Sequence, residues 1–136
     1  MIYVTRKEHF NAAHKLARPE WSDEKNLEVF GKCANQNWHG HNFDLYITVK
    51  GNPSEVTGFV MDLKHLSSLI REHIIEKLDH KNLNLDVDFM KNCMPSTENL
   101  AIKIWEQLAP YIVKEGCQLH AVKLFETENN YVEYLG

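Results

Sequence analysis

The chain reads as an α+β domain, a four-stranded antiparallel sheet with two helices on one face in the order β-β-α-α-β-β. Three observations carry this. Residues 42–50 alternate, with Phe43, Leu45, Ile47 and Val49 on one side and Asp44, Tyr46, Thr48 and Lys50 on the other, the pattern of a strand with one buried face. Behind Asp62, the residues Leu63, Leu66, Ile70, Ile74 and Leu78 recur at three- and four-residue steps and form one helical stripe. Two strand-like stretches precede the helical ones and two follow them.

The first strand is read over residues 2–10, which are rich in β-formers early on. Between Leu16 and Trp38 the period is lost among polar residues, Pro19, Gly31 and several Asn, which predicts a long functional loop. The strand over 42–50 ends at Gly51-Asn52-Pro53-Ser54. Asp62 caps the first helix. Ser96 caps the second, which follows Pro95 and has Glu98 in its first turn. Leu100, Ile104, Trp105, Leu108 and Ile112 mark the core side of that helix, Pro110 should kink or interrupt it, and Gly116 stops it. Two strands close the chain, residues 119–126 and 131–135, joined by Glu128-Asn129-Asn130. Four strands leave two open edges, and Tyr131-Val132-Glu133-Tyr134-Leu135 has little to protect one of them. An oligomer closed by sheet extension is therefore expected.

With 136 residues, 43% of them hydrophobic, the chain suits a single domain over 1–136 with a substantial core. A net charge of −4 without clustered Lys and Arg argues against a nucleic-acid surface. No stretch approaches a membrane span, and the first residues lack the apolar core of a signal peptide. Cys33, Cys93 and Cys117 are odd in number and widely spaced, so free thiols in a reducing cytoplasm are expected, not a disulfide framework. The compositional oddity is the count of eight histidines.

His39 and His41, two residues apart at the start of a strand, share a face and can reach one cation. Many such pairs are surface accidents, so a third ligand matters. His14 follows the small residues Ala12 and Ala13 near the end of the first strand, where an antiparallel neighbour would bring it close. The local pattern fits a third ligand and a hydrogen-bonded core histidine equally well. As a ligand, His14 completes three neutral imidazoles with a fourth position open, the arrangement of catalytic zinc, although imidazole also suits copper, iron and nickel.

Cys33 lies in Phe30-Gly31-Lys32-Cys33, six residues before His39. Free cysteines are more often small core residues. This one stands in a polar, glycine-bearing loop beside Lys32 and a candidate dication, which favours a reactive role; Cys93 and Cys117 lack such company. Asp79-His80 closes the first helix. A carboxylate beside an imidazole suits proton transfer, but alone the pair reads as a histidine satisfying the helix dipole. Glu126 continues the face of His120, Val122 and Leu124, where an inward carboxylate needs partners. A ligand edge with two adjacent N–H groups, as on a 2-aminopterin or guanine, would supply them; a solvated strand-end glutamate is the alternative. His9, His65, His73 and His120 lack ligand spacing, and the tryptophans read as packing residues.

Together, Phe10-Asn11-Ala12-Ala13-His14, Phe30-Gly31-Lys32-Cys33, His39-Gly40-His41-Asn42, Leu78-Asp79-His80-Lys81-Asn82-Leu83, Ser96-Thr97-Glu98-Asn99 and Phe125-Glu126-Thr127 resemble, in order and over essentially the whole chain, the 6-pyruvoyl tetrahydropterin synthase family. The resemblance implies a tunnelling fold assembled into a barrel-forming homohexamer, a dimer of trimers with active sites between subunits. It implies Zn2+ on His14, His39 and His41, with Cys33 as catalytic base and Asp79 and His80 as a proton relay. Glu126 becomes the catalytic-site pterin anchor, and Thr97 a further pterin contact. The implied reaction takes 7,8-dihydroneopterin triphosphate to 6-pyruvoyltetrahydropterin and triphosphate, with Mg2+ assisting at the triphosphate, in tetrahydrobiopterin biosynthesis in the cytoplasm. Asn11 and Lys15 stand where the family often has Ser and Arg, and the arginine fork suits phosphate better.

The rival within the superfamily is 6-carboxytetrahydropterin synthase of queuosine biosynthesis, whose cysteine lies three residues closer to the HxH pair on a shorter loop. Here Ala34 to Trp38 separate Cys33 from His39, which matches the pyruvoyl group. Aldolase-type relatives usually lack the cysteine. A non-catalytic zinc- or pterin-binding scaffold needs neither Cys33 nor the Asp79–His80 pair.

Overall fold

The computed structural model describes residues 1–136. Strand β1 (Ile2–His14) pairs antiparallel with β2 (His39–Gly51) along its whole length, from Ile2 opposite Gly51 to His14 opposite His39. Both run longer than the alternation in sequence, because His14 and His39 continue the ladder past the apolar residues that announce it.

The segment between them is not one loop. It holds helix α1 (Asp23–Phe30) and a 3₁₀ turn (Gly31–Ala34). Ser22 caps α1 by accepting from the Lys25 N–H at 3.1 Å, with Asp23 and Glu24 in the first turn and Gly31 beyond the end at φ +58°. Its one buried residue is Asn26, so no apolar stripe betrays it; Ser22-Asp23-Glu24 and Gly31 are the signals that were there to read.

Asp62 caps α2 (Leu63–Ile70), its carboxylate accepting from the Lys64 N–H at 2.9 Å. The helix passes through a π-helical turn (Arg71–Ile75) into α3 (Glu76–Leu78). Leu66, Ile70, Ile74 and Leu78 are fully buried, whereas Leu63 remains exposed. Next come β3 (Lys81–Asn82) and a 3₁₀ turn (Asp88–Met90). Helix α4 (Thr97–Lys114) runs unbroken through Pro110. Both Pro110 and Glu106, whose carbonyl loses its helical donor there, are exposed, so water can serve the orphaned group. Strands β4 (Gln118–Phe125) and β5 (Tyr131–Tyr134) complete the chain.

The sheet order is β3-β1-β2-β4-β5, five strands in place of the expected four, and it is mixed because β3 runs parallel to β1. A two-residue strand has no period to read. It is secured by the His80 N–H to the Asn11 carbonyl at 2.7 Å and the Leu83 N–H to the Ala13 carbonyl at 2.8 Å. Helices α2, α3 and α4 cover one face. There Phe43, Leu45, Ile47 and Val49 meet Leu66, Ile70, Leu100, Ile104 and Leu108, all at most 1% exposed. Each such side chain contributes about 1.5–3 kcal/mol on burial. The opposite face carries half-buried Tyr46, Thr48, Lys123 and Phe125. A bulge in β4 sets Thr48 against Ala121 and Val49 against Leu119. His120 is therefore carried to the uncovered face, against Tyr3 at 4.5 Å, and leaves the side that holds Val122 and Leu124. No helix is long and apolar enough to cross a membrane.

Candidate functional site

Antiparallel register assembles the site. His14 faces His39 across the β1–β2 ladder, and His41 lies two residues further along the same pleat. One ligand-capable atom from each of His14, His39 and His41 lies within 4.8 Å of the others. The rings meet edge to face, with centroids 4.5 to 5.2 Å apart.

His14 is 1% exposed and its Nδ1–H donates to the Pro95 carbonyl at 2.7 Å, which leaves Nε2 unprotonated. That Nε2, both ring nitrogens of His39 and Nε2 of His41 are shielded from solvent without a hydrogen-bond partner. Burial pushes all three imidazoles below their ordinary pKa, which favours the neutral form that can ligate a metal. Buried polar atoms are normally satisfied, and a cluster of bare imidazole nitrogens converging on one point fits a metal ion held by nitrogen ligands.

Glu126 completes the polar end of this cluster. Its carboxylate oxygens lie 3.9 Å from His14 Nε2 and 3.8 Å from His41 Nε2. Thr97, buried at the start of α4, donates its hydroxyl to Glu126 Oε2 at 2.5 Å. Cys33, in the 3₁₀ turn after α1, lines a cleft of about 270 Å³ together with Leu16, Thr97, Glu126 and Tyr131. The loop is tied to the sheet by the Leu16 N–H, which donates to the Cys33 carbonyl at 2.8 Å.

Asp79 and His80 do not line the Cys33 cleft. His80 lines a separate depression of about 560 Å³ with Asn11, Gly40, His41 and Asn42. Its Nδ1 is 3.0 Å from Asp79 Oδ2, and its ring is exposed. The Asn11 N–H donates to Asp79 Oδ1 at 2.9 Å, and this bond, followed by the His80 ring, holds the Asp79 carboxyl below the usual range. His80 and Trp38, which directly precedes His39, both hold left-handed backbone at φ +61° and +66°. Such conformations cost about 1–3 kcal/mol in a residue other than glycine and gather at functional sites. Sequence reading missed the Pro95 carbonyl altogether, since a backbone acceptor leaves no side-chain signal.

The profile described as "6-pyruvoyl tetrahydropterin synthase" matches residues 3–136. A 6-pyruvoyl tetrahydrobiopterin synthase of Pongo abelii is 44% identical over 133 residues, covering 98% of this chain and 90% of that protein. The solved structure of Caenorhabditis elegans 6-pyruvoyl tetrahydropterin synthase superposes with a TM-score of 0.91 at 35% identity, over 99% of this chain and 95% of that one. A 6-carboxy-5,6,7,8-tetrahydropterin synthase of Rickettsia typhi is more distant, 30% identical over 151 residues and covering 98% of this chain and 99% of that protein. On the extent and identity of these matches, the chain belongs to the 6-pyruvoyl tetrahydropterin synthase family.

Proposed function

We propose that the protein is a zinc-dependent lyase that converts 7,8-dihydroneopterin triphosphate to 6-pyruvoyltetrahydropterin with release of triphosphate, a step of tetrahydrobiopterin biosynthesis. The observation that carries it is the set of buried, unpartnered imidazole nitrogens of His14, His39 and His41 beside Glu126, with Cys33 in the adjoining cleft. The reaction needs no external oxidant or reductant, because loss of triphosphate and internal proton shifts convert the side-chain alcohols to ketones while the ring is reduced.

His14, His39 and His41 would hold the metal. A zinc ion bound there would supply Lewis acidity to the reaction. Cys33 takes a proton from a side-chain carbon. His80, steadied by Asp79, takes or returns another. Glu126 accepts the paired N–H groups of the pterin edge, and the Thr97 hydroxyl turns its carboxylate towards them. Magnesium accompanies the triphosphate.

Cys33 and His80 line different depressions, which supports a site completed between copies in a homohexamer. The uncovered sheet face and the β5 edge are surfaces such an assembly would cover. Free Cys33, Cys93 and Cys117 suit a reducing cytoplasm. The test is an anaerobic assay of zinc-loaded protein with 7,8-dihydroneopterin triphosphate and magnesium, identifying products by mass. A pyruvoyl pterin with free triphosphate supports the assignment. A carboxy pterin with acetaldehyde moves the protein to the queuosine branch, and no turnover leaves a zinc- or pterin-binding scaffold.

A further inference from the structure

A histidine ligates a metal through one ring nitrogen when the proton sits on the other, so whatever accepts that proton defines the ligand. For His14 the acceptor is the Pro95 carbonyl. A backbone carbonyl has to be aimed by the loop that carries it. That loop is a three-residue turn, closed by the Ser96 N–H donating to the Met94 carbonyl at 2.9 Å across Pro95, whose ring restricts φ.

A second donor reaches the same Met94 carbonyl: Asn99 Nδ2, at 2.9 Å. A carbonyl only accepts, so the amide nitrogen of Asn99, not its oxygen, faces it. The backbone N–H of Asn99 makes a separate bond, donating to the Ser96 hydroxyl at 3.2 Å as the cap of α4. In a reciprocal helix cap the third residue is Glu or Gln and its side chain accepts from the cap residue's own N–H. Here the side chain is a donor and reaches past the cap to Met94. Capping of α4 needs only Ser96 and leaves this bond unexplained. The turn it fixes leads directly into Thr97, which holds Glu126.

We infer that Asn99 is a positioning residue of the metal centre: its amide fixes the Met94–Ser96 turn so that the Pro95 carbonyl keeps His14 protonated at Nδ1 and bare at Nε2. This rests on the reading of His14, His39 and His41 as metal ligands. Asn99 touches neither metal nor substrate, and it acts through Met94, Pro95 and His14 in turn.

The test compares Asn99→Asp with Ser96→Ala. Aspartate matches asparagine in size and suits a helix N-terminus, but it cannot donate to Met94. Zinc affinity, from competition with a chromophoric chelator, is expected to fall about 10- to 100-fold in Asn99→Asp with one zinc per chain retained. In the metal-free protein, ¹⁵N NMR of the His14 ring is expected to show the proton shifting from Nδ1 towards Nε2. Ser96→Ala, which deletes the cap and spares the Asn99–Met94 bond, should lower the melting temperature and keep zinc affinity within about two-fold. Unchanged affinity and tautomer in Asn99→Asp would overturn the inference, and so would an equal loss of affinity in Ser96→Ala. Should the aspartate variant not fold, Asn99→Ala is measured in the same way, and failure of both to fold makes Asn99 structural and also overturns it. A wild-type protein that binds no zinc defeats the metal reading instead, and the His14 tautomer then decides the role of Asn99 separately.

Discussion

Replacing His39 by leucine separates what the histidine cluster does for function from what it does for stability. Both ring nitrogens of His39 are shielded and unpartnered, and each buried unsatisfied polar group costs about 1–3 kcal/mol. Leucine removes both and keeps an apolar side chain against His14 and His41. The metal-free variant should therefore melt at or above the metal-free wild type. Zinc reverses the ranking. Free zinc at about 1,000 times its Kd stabilises the folded chain by about 4 kcal/mol. At about 2.1 cal/mol/K per residue, 136 residues give an unfolding entropy near 0.29 kcal/mol/K, so the wild type should gain about 14 °C. His39→Leu retains two imidazoles and should gain less than about 4 °C. Scanning calorimetry of both proteins, chelator-treated and zinc-loaded, reads all four values. An equal zinc increment in the two proteins would place the metal elsewhere. A metal-free variant melting several degrees below the wild type would show that His39 is a packing residue and refute the reasoning.

Three further outcomes are expected. Cys33→Ala should abolish turnover with zinc content intact, by product analysis and metal quantification, because the thiol lies in the cleft beside Glu126 and not among the three imidazoles. Glu126→Gln should raise the KM for the pterin substrate about 10- to 100-fold with zinc retained, since charge-assisted hydrogen bonds contribute about 1.5–3 kcal/mol; an unchanged KM would remove Glu126 from the pterin edge. Glu8 is 7% exposed and accepts from the Ser67 hydroxyl at 2.6 Å and from Arg6 Nε at 3.0 Å. Burial raises its pKa, but Ser67, Arg6 and Arg71 outweigh that and hold it below the usual 4.5. A depressed carboxyl pKa contributes stability above the unfolded value that is lost as pH falls through the folded one. Urea titrations should thus find Glu8→Gln about 2 kcal/mol less stable near pH 7, with the difference narrowing as pH falls below about 4.5; a gap that does not narrow on acidification would assign the effect to packing.

What could be read from the sequence divides by the kind of atom that carries each feature. The strand through Phe43, Leu45, Ile47 and Val49 and the stripe through Leu66, Ile70, Ile74 and Leu78 were legible because burial imposes a period on side chains, and a strand pleat makes His39 and His41 neighbours whatever surrounds them. His14 was not settled by pattern, because its place opposite His39 depends on a register reaching four residues beyond Phe10, where the expected strand ended. Helix α1 and strand β3 escaped for one reason: neither buries a stripe, and their evidence is a cap at Ser22 and backbone bonds at His80 and Leu83. The same blindness extends to the site. Its candidate ligands are side chains and can be found by spacing, whereas the acceptor of the His14 ring proton is the carbonyl of Pro95, and the asparagine we infer to aim it reaches past its own helix cap. The donation from Asn99 to Met94 is seen only once the turn is folded, and the Asn in Ser96-Thr97-Glu98-Asn99, where a reciprocal cap would place Glu or Gln, is the sequence feature that permits it.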